Sequence, residues 1–219
     1  TEGVRSVSFP QGVNVLSLLT EIGETPLPPY ITRSTAPRSA YQTVFAARDG
    51  SAAAPTASLH FTEELLEELR REIGLSVAWV TLHVGLGTFR PVQCSDIRKH
   101  VIHEEYCVLP LETKKLVEET NRHGGRVIAA GTTVARTLES MAAEDGEMRW
   151  GEMNTQLFIY PGFEYKVVDA LVTNFHLPKS SLLMLVAAFA GYEPVMKAYE
   201  TAVSMKYRFF SFGDAMFIS

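Results

Sequence analysis

Two segments combine small, polar and titratable residues where the sequence pattern predicts the end of a strand. Residues 50–62 hold alanines, hydroxyl side chains and His60, whose imidazole titrates near neutral pH. Residues 83–91 contain Gly85 and Gly87 in a Gly-x-Gly arrangement. Because loops at the carboxyl ends of parallel strands form the binding crevice of an open sheet, both segments are candidates for ligand contact. A close-packed loop with a hydrogen-bonded histidine is the alternative for the first.

The Gly-x-Gly arrangement does not extend into a dinucleotide-binding fingerprint. The third glycine is missing, and Pro91 falls where that fingerprint continues as a helix. We therefore expect no Rossmann dinucleotide site. The glycines either take positive φ beside a ligand or make an ordinary turn.

A cluster of titratable residues consists of His100, His103, Glu104 and Glu105. Its spacing differs from the His-Glu-x-x-His zinc motif, and the sequence offers no third ligand, so we expect no metal. Imidazole and carboxylate groups this close suit general acid–base chemistry if they line a pocket. A solvated surface cluster is the alternative.

Residues Gly131, Thr132 and Thr133 stand between a predicted strand and a predicted helix. Backbone N–H groups and hydroxyls at a helix start favour an anion such as a phosphate or a carboxylate. Ordinary capping by a threonine is the alternative. Further along the same helix, Arg136 and Glu139 are predicted to form a surface pair.

Near the C-terminus, Lys206 and Arg208 alternate with aromatic residues such as Phe209. Cations interleaved with aromatics hold single-stranded or splayed bases through phosphate contact and stacking. An aromatic core strand with two solvated cations is the alternative. Asp169 lies in a strand that otherwise looks buried, so it is either hydrogen-bonded structure or a tuned functional group.

The elements that position these residues alternate between strands and helices. The predicted helices cover residues 13–22, 63–73, 110–122, 133–143, 180–190 and 194–206. The predicted strands cover residues 3–9, 76–83, 126–130, 157–160 and 167–173. This order predicts an α/β fold, with a mainly parallel sheet covered by helices on both faces. We assign residues 25–219 to this core and residues 1–24 to a small β-rich part.

The predicted helix at 63–73 has clear start and burial signals. Thr62 is a good N-cap, and glutamates follow in the first turn, where they complement the helix dipole. Leu65, Leu66, Leu69 and Ile73 recur at helical spacing and form the predicted buried stripe.

The composition fits a globular protein with a substantial core. The chain has 219 residues, of which 46% are hydrophobic and 21% charged. No apolar stretch reaches the roughly 18 residues of a membrane span, so we expect no membrane contact and a cytoplasmic location. The two cysteines, Cys94 and Cys107, form no Cys-x-x-Cys pair. Because the formal net charge is −5, any RNA contact must be a local patch.

The candidate segments resemble the S-adenosylmethionine:tRNA ribosyltransferase-isomerase family of queuosine biosynthesis. The resemblance runs in order along nearly the whole chain. It is carried by LPPYI (27–31), YQTVFA (41–46), GSAAAPTASLHFT (50–62), LHVGLGTFRPV (82–92), HEEY (103–106), RVIAAGTT (126–133), LFIYPGFEYKVVDALVTNFHLPKSSLLMLVAAFAG (157–191) and KYRFFSFGDAMFI (206–218).

The resemblance also implies how the chain relates to the family. Segments resembling the family's opening, such as VLNDTRVIPARL, are absent, so the chain resembles the C-terminal two-thirds of a member. Residues 1–24 look like the tail of the family's inserted β-barrel domain. We expect a monomer.

The family's reaction is an unusual transfer. S-adenosylmethionine, as co-substrate, donates its ribosyl group to the aminomethyl group of a 7-deazaguanine base (prequeuosine) at the tRNA wobble position. Epoxyqueuosine forms, and adenine and methionine leave. The reaction needs a base, an acid and a desolvated cavity, but no metal. Two other possibilities remain: an RNA-binding fragment of such an enzyme, and an adenosylmethionine-dependent enzyme acting on a small molecule.

The resemblance implies candidate residues for each task because they lie in family-like segments. Acid and base candidates are His60, His83, His103, Glu105, Asp169 and His176. Candidates for substrate binding are Gly85, Gly87, Gly131, Thr132, Thr133, Lys206, Arg208, Phe209 and Asp214. Of these, the cations and their aromatic neighbours are expected to contact the tRNA anticodon arm.

Overall fold

Six α-helices and six β-strands make up the part of the chain that the computed structural model describes. The described residues are 6–24, 27–28, 30–31, 38–85, 92, 96–100, 102–142 and 147–219. The helices are α1 (Val15–Ile22), α2 (Glu63–Ile73), α3 (Leu111–Arg122), α4 (Thr132–Met141), α5 (Ser181–Ala190) and α6 (Tyr192–Ser204). The strands are β1 (Thr81–His83), β2 (Glu105–Leu109), β3 (Ile128–Ala130), β4 (Gly151–Thr155), β5 (Ala170–Asn174) and β6 (Ala215–Ile218).

The strands form two small sheets instead of one parallel sheet. In the first sheet, of order β1-β2-β4, both pairings are antiparallel. In the second, of order β3-β5-β6, β3 and β5 are parallel while β5 and β6 are antiparallel. Among the described strands only one of four pairings is therefore parallel. The α/β class holds, but the prediction of a mainly parallel sheet is wrong.

Capping residues mark both ends of α2 and the start of α5. The hydroxyl of Thr62 accepts a hydrogen bond from the N–H of Leu65 at the start of α2, and Gly74 ends this helix in the left-handed conformation. Ser180 caps α5 in the same way, by accepting from the N–H of Leu183. The predicted buried stripe of α2 is too long, because Ile73 is 68% exposed.

The second sheet buries one face more completely than the other. Ala129 and Leu171 are fully buried on one side. Ile128 and Phe217 lie on the opposite side, since side chains alternate along a strand, and they remain 38% and 58% exposed. Among the described residues, this second face of the sheet is therefore only partly covered.

Several predicted elements differ from those in the structure. Residues 6–10 are not a strand, and the rest of the predicted strand at 3–9 lies outside the described residues. The helix α1 forms, but it buries no side chain, and Leu16 is 75% exposed. The strand expected at 157–160 is irregular, while β4 precedes it. An origin of this N-terminal part in a β-barrel stays a prediction.

No individual helix in the described ranges has the length and apolarity needed to cross a membrane. The consecutive helices α5 and α6 meet those criteria only jointly, and they are bent by 115° relative to each other.

Candidate functional site

The carboxyl ends of the parallel strands β3 and β5 meet at one edge of the second sheet. Directly after β3, Gly131 adopts a φ of 105°, which side-chain-bearing residues rarely take, and its N–H donates to the Val172 carbonyl at 2.8 Å. The chain then enters α4, whose start no side chain caps. The predicted threonine cap is therefore wrong. Thr132 and Thr133 occupy the first turn of α4, where a helix attracts anions.

A short 3₁₀ helix, Thr56–His60, lies against this edge. The hydroxyl of Thr56 donates to Asn174 Oδ1 at 2.9 Å, and the hydroxyl of Ser58 donates to the Ala130 carbonyl at 3.3 Å. Both acceptors belong to the last residues of β5 and β3. The structure thus places the segment around His60 at the strand ends, as its composition predicts, and leaves His60 exposed.

The C-terminal segment closes on itself through an exposed ion pair. The carboxylate of Asp214 accepts from the Arg208 side chain at 2.6 Å and from the Arg208 N–H at 2.7 Å. These contacts lower the pKa of Asp214, to which the charge of nearby His60 adds a smaller effect. Gly213 permits this turn, because a Cβ there would lie 2.4 Å from the Arg208 carbonyl oxygen. His60 and the Arg208–Asp214 pair therefore share one neighbourhood.

The aromatic residues of this segment divide between core and surface. Phe209 is partly buried and stacks on Phe175 with ring centroids 4.8 Å apart, so its ring serves packing. Tyr207 and Phe212 are each 44% exposed. Lys206 is exposed as well. The aromatic side chains at the surface are therefore those of Tyr207 and Phe212, and not that of Phe209. The sequence alone did not show which of these rings are exposed.

His176 is held on the other side of β5. Its Nε2 lies 2.8 Å from the hydroxyl of Thr173, and its backbone N–H donates to the Tyr199 hydroxyl at 2.7 Å. Thr173 and Asn174 point to opposite faces of the strand, so His176 is separated from Thr56 by the sheet. Although part of the residue reaches the surface, desolvation lowers the pKa of the imidazole to about 4. His176 is therefore neutral at pH 7.

Glu105 is buried in an ion pair that the sequence did not indicate. Its carboxylate accepts from Arg136 Nη1 of α4, and both side chains are at most 9% exposed. The other oxygen of Glu105 accepts from the N–H of Gly85 at 3.1 Å. Gly85 itself does not take positive φ, and Gly87 lies outside the described residues. The pair therefore anchors the point where the Gly-x-Gly segment begins.

The predicted surface pair of Arg136 and Glu139 is wrong, because both side chains are buried and face different partners. Glu139 accepts from three consecutive backbone N–H groups, those of residues 166–168, at 2.9–3.0 Å. Arg136 turns instead toward Glu105 and the Leu157 carbonyl. Helical spacing showed that the two residues share a region of α4 but could not show that tertiary partners compete for each.

Three further candidates lie elsewhere. His83 stacks on Tyr106 at 5.7 Å, and its Nδ1 is buried without a hydrogen-bond partner in the described part of the chain. His103 is exposed just before β2. Asp169 is exposed, contrary to the predicted burial, and accepts from the Val127 N–H at 2.8 Å. This hydrogen bond joins the residue before β3 to the residue before β5.

The candidates accordingly fall into two groups. Around the edge of the second sheet lie His60, Gly131, Thr132, Thr133, Arg208 and Asp214, while Glu105, His83 and Gly85 lie at the first sheet. Three residues with contacts at these places were not among the candidates predicted from the sequence: Thr56, Asn174 and Arg136. The position of Asn174 at the end of a predicted strand was the available signal. Within the described ranges, no three histidine, cysteine or acidic side chains gather closely enough to hold a metal ion.

Comparison with known proteins gives consistent matches. Residues 1–218 match the family described as queuosine biosynthesis protein. The chain is 54% identical over 217 residues to the S-adenosylmethionine:tRNA ribosyltransferase-isomerase of Natranaerobius thermophilus, and 53% identical over 216 residues to that of Desulforamulus reducens. Each match covers 99% of this chain, which spans 63% of the length of either relative.

A crystal structure of S-adenosylmethionine tRNA ribosyltransferase from Thermotoga maritima is similar in fold. Its TM-score is 0.63 at 52% sequence identity, and the match covers 74% of this chain and 51% of the other.

Proposed function

The chain belongs to the family of queuosine biosynthesis proteins, and on this premise we propose that it performs the chemistry named for its relatives. It transfers the ribosyl group of S-adenosylmethionine to the aminomethyl group of prequeuosine at the tRNA wobble position. The products are epoxyqueuosine, adenine and methionine. The observation that carries this proposal is 54% identity along 99% of the chain. We place the chain in the C-terminal two-thirds of such an enzyme, as a cytoplasmic monomer.

We assign substrate contact to the edge of the second sheet. Gly131, Thr132 and Thr133 offer a helix start for the carboxylate of S-adenosylmethionine or a phosphate of tRNA. The 3₁₀ helix that carries His60 lies against this edge, and His60 is close enough to Asp214 to lower the pKa of that carboxyl slightly. Adenine departure needs a proton and the attacking amine must lose one, so an exposed imidazole next to a carboxylate suits either step.

We assign His176 to proton acceptance or positioning instead of proton donation. Its low pKa means that it carries no proton to give at pH 7. The sulfonium of S-adenosylmethionine acidifies the adjacent 5′ carbon, so the reaction also needs a base there. His83, His103 and Asp169 remain candidates for that task.

We assign Glu105 to positioning. Its carboxylate is occupied by Arg136 and the Gly85 N–H, which leaves it poorly placed to exchange protons with a substrate. Gly85 and Gly87 remain proposed substrate contacts, and Glu105 fixes where they begin.

We propose that the tRNA anticodon arm binds the C-terminal segment. Lys206 and Arg208 supply positive charge in a chain whose formal net charge is −5, so the contact is local. The exposed rings of Tyr207 and Phe212 are available for stacking on bases, whereas the ring of Phe209 packs against Phe175.

Nucleoside mass spectrometry tests the proposal. Prequeuosine-containing tRNA is incubated with S-adenosylmethionine and either this chain or this chain joined to the unmatched part of the Desulforamulus reducens relative. We expect epoxyqueuosine, with one adenine released per modified base, from at least one preparation. Failure of both preparations, while the intact relative works under the same conditions, would overturn the proposal. Binding of tRNA without product in both would indicate an RNA-binding fragment.

A further inference from the structure

Asn174 is a buried amide that uses only part of its hydrogen-bonding capacity. It is the last residue of β5 and is 2% exposed. Its Oδ1 accepts from the hydroxyl of Thr56 at 2.9 Å, while its Nδ2 is buried and has no partner in the described part of the chain. Buried polar groups are nearly always hydrogen-bonded, because the loss of water without a replacement is unfavourable. The free Nδ2 therefore calls for an acceptor.

The hydroxyl of Tyr41 is a second buried group of this kind. It makes no hydrogen bond of good geometry within the described ranges, and Tyr41 is 5% exposed. Burial raises the pKa of Tyr41, and the neighbouring Ser211 hydroxyl and Ala54 N–H offset part of this rise. The phenol therefore keeps its proton at neutral pH and remains a hydrogen-bond donor.

The neighbours of Tyr41 belong to the same segments that hold Asn174. Ala54 comes shortly before the 3₁₀ helix Thr56–His60, whose first residue donates to Asn174. The residue before Ser211 donates its backbone N–H to the carbonyl of the residue after Asn174 at 3.0 Å. Among the described residues, two of the four buried side-chain polar atoms without a partner thus belong to this one neighbourhood.

The chemistry of Asn174 favours a nucleobase over an anion as its ligand. The amide is neutral and buried, whereas a buried anion needs a cation or several donors. A carbonyl oxygen has two lone pairs, so Oδ1 can accept a second hydrogen bond beside that from Thr56. The amide thus offers a donor and an acceptor side by side, which is the pattern by which asparagine binds the edge of adenine. A 7-deazaguanine edge likewise presents a carbonyl acceptor beside an N–H donor.

We propose that Asn174 is a specificity-determining residue that binds the edge of a nucleobase through Nδ2 and Oδ1. Thr56 positions the amide, because its bond to Oδ1 fixes the direction in which Nδ2 donates. The inference rests on the proposed function, which supplies two sources of such a base. One is the adenine of S-adenosylmethionine, and the other is the 7-deazaguanine of the tRNA.

Direct binding measurements test this role. Dissociation constants are measured by calorimetry for S-adenosylmethionine and by filter binding for prequeuosine-containing tRNA. The proteins are this chain and this chain joined to the unmatched part of the Desulforamulus reducens relative. Asn174→Asp keeps the acceptor for Thr56 and removes the Nδ2 donor, so it should weaken the affinity for one of the two ligands by about tenfold or more.

The ligand that is affected identifies the source of the base. Weaker binding of S-adenosylmethionine alone assigns its adenine to Asn174, and weaker binding of tRNA alone assigns the 7-deazaguanine. Unchanged affinity for both would overturn the proposal and leave a water molecule as the partner of Nδ2. Equal weakening of both ligands would also overturn it, as would absence of binding by both native preparations.

Two further variants separate a binding role from damage to the fold. Asn154→Asp introduces the same charge at an exposed position of β4 and should leave both affinities within about twofold of the native values. Asn174→Ala removes the amide without adding a charge and should weaken the same ligand as Asn174→Asp. Circular dichroism checks that each variant folds, and the alanine variant decides if the aspartate variant does not.

The outcome for Asn174 is separable from the outcome for the proposed reaction. A native protein that binds its ligands through Asn174 but forms no epoxyqueuosine would contradict the reaction and leave this inference standing. Formation of epoxyqueuosine together with native affinities in both Asn174 variants would support the reaction and overturn this inference.

Discussion

The surroundings of α4 and the edge of the second sheet use charged residues in opposite ways. Around α4, Glu105, Arg136 and Glu139 are buried, and internal donors and acceptors occupy their charges. At the sheet edge, Arg208 pairs with Asp214 while 75% of the arginine side chain stays exposed. Buried charges are tolerated only when they are paired, whereas exposed ones keep their freedom to meet a ligand. The difference separates groups that hold the fold from groups available to substrates.

The same substitution at the two arginines should give the largest contrast. Arg136→Met leaves the Glu105 carboxylate buried without its cation, so we expect a loss of about 3–5 kcal/mol in the free energy of unfolding. Arg208→Met breaks an exposed pair and should leave the free energy of unfolding almost unchanged. Urea titrations of both variants measure this. Comparable losses would show that the two pairs do not differ as described.

The neutral state of His176 should make stability depend on pH. Its pKa is about 4 in the folded protein and 6.5 as the ordinary value, so the unfolded chain binds the proton first as pH falls. The neutral imidazole contributes fully to the free energy of unfolding above pH 6.5, and this contribution is lost as pH falls from 6.5 to 4. At pH 4.5 the loss in the free energy of unfolding should be roughly 2–3 kcal/mol.

Unfolding titrations at pH 7 and pH 4.5, for the native chain and for His176→Gln, isolate this contribution. The native chain should lose more stability than the variant, because the variant has no imidazole to protonate. Parallel losses in the two proteins would mean that burial does not hold His176 neutral.

A smaller effect is expected at Glu139, the buried carboxylate of α4. Glu139→Gln keeps the shape but weakens three hydrogen bonds from backbone N–H groups, which should cost about 2 kcal/mol. Asp169→Asn is the matched control, because this exposed carboxylate accepts a single N–H and should lose less than about 1 kcal/mol. Thermal unfolding ranks the two variants, and a reversed ranking would argue against the role given to Glu139.

At the edge of the second sheet, substitution of the exposed cations should change tRNA binding and leave the free energy of unfolding unchanged. Reversing the charges of Lys206 and Arg208 should weaken tRNA binding about tenfold and reduce its salt dependence, because two phosphate contacts are lost. Reversal at Lys115 and Lys197, exposed on α3 and α6, changes the net charge equally and serves as the control. Filter binding at several salt concentrations distinguishes them. Equal losses from both reversals would leave only a general charge effect.

Local features were predictable from the sequence, while tertiary ones were not. The cap at Thr62 was predictable because a cap and its helix are adjacent in the chain. The pairing of Glu105 with Arg136 joins residues 31 positions apart on different elements, and no spacing rule reports it. A solvated surface cluster around Glu104 and Glu105 was therefore a possible interpretation of the sequence, although Glu105 is buried.

Strand direction differs from the prediction because an alternation of helices and strands does not by itself require parallel crossovers. β1 and β2 pair antiparallel without an α-helix in the described part of their connection, which antiparallel strands do not require. The placement of two segments was predicted better, because those around His60 and Gly131 do meet at strand ends. Their role in binding or catalysis stays a prediction. Within the C-terminal segment, the sequence could not tell the packed ring of Phe209 from the exposed ring of Phe212.

The most direct test of this division is the rate of adenine release per folded molecule, measured in whichever preparation forms epoxyqueuosine. His60→Gln should lower that rate by about 100-fold or more while leaving the folded fraction unchanged, as expected for a lost acid or base. Glu105→Gln should lower the free energy of unfolding yet keep the rate per folded molecule within about tenfold of the native value. The opposite pattern, with Glu105 essential for the rate and His60 dispensable, would contradict the account.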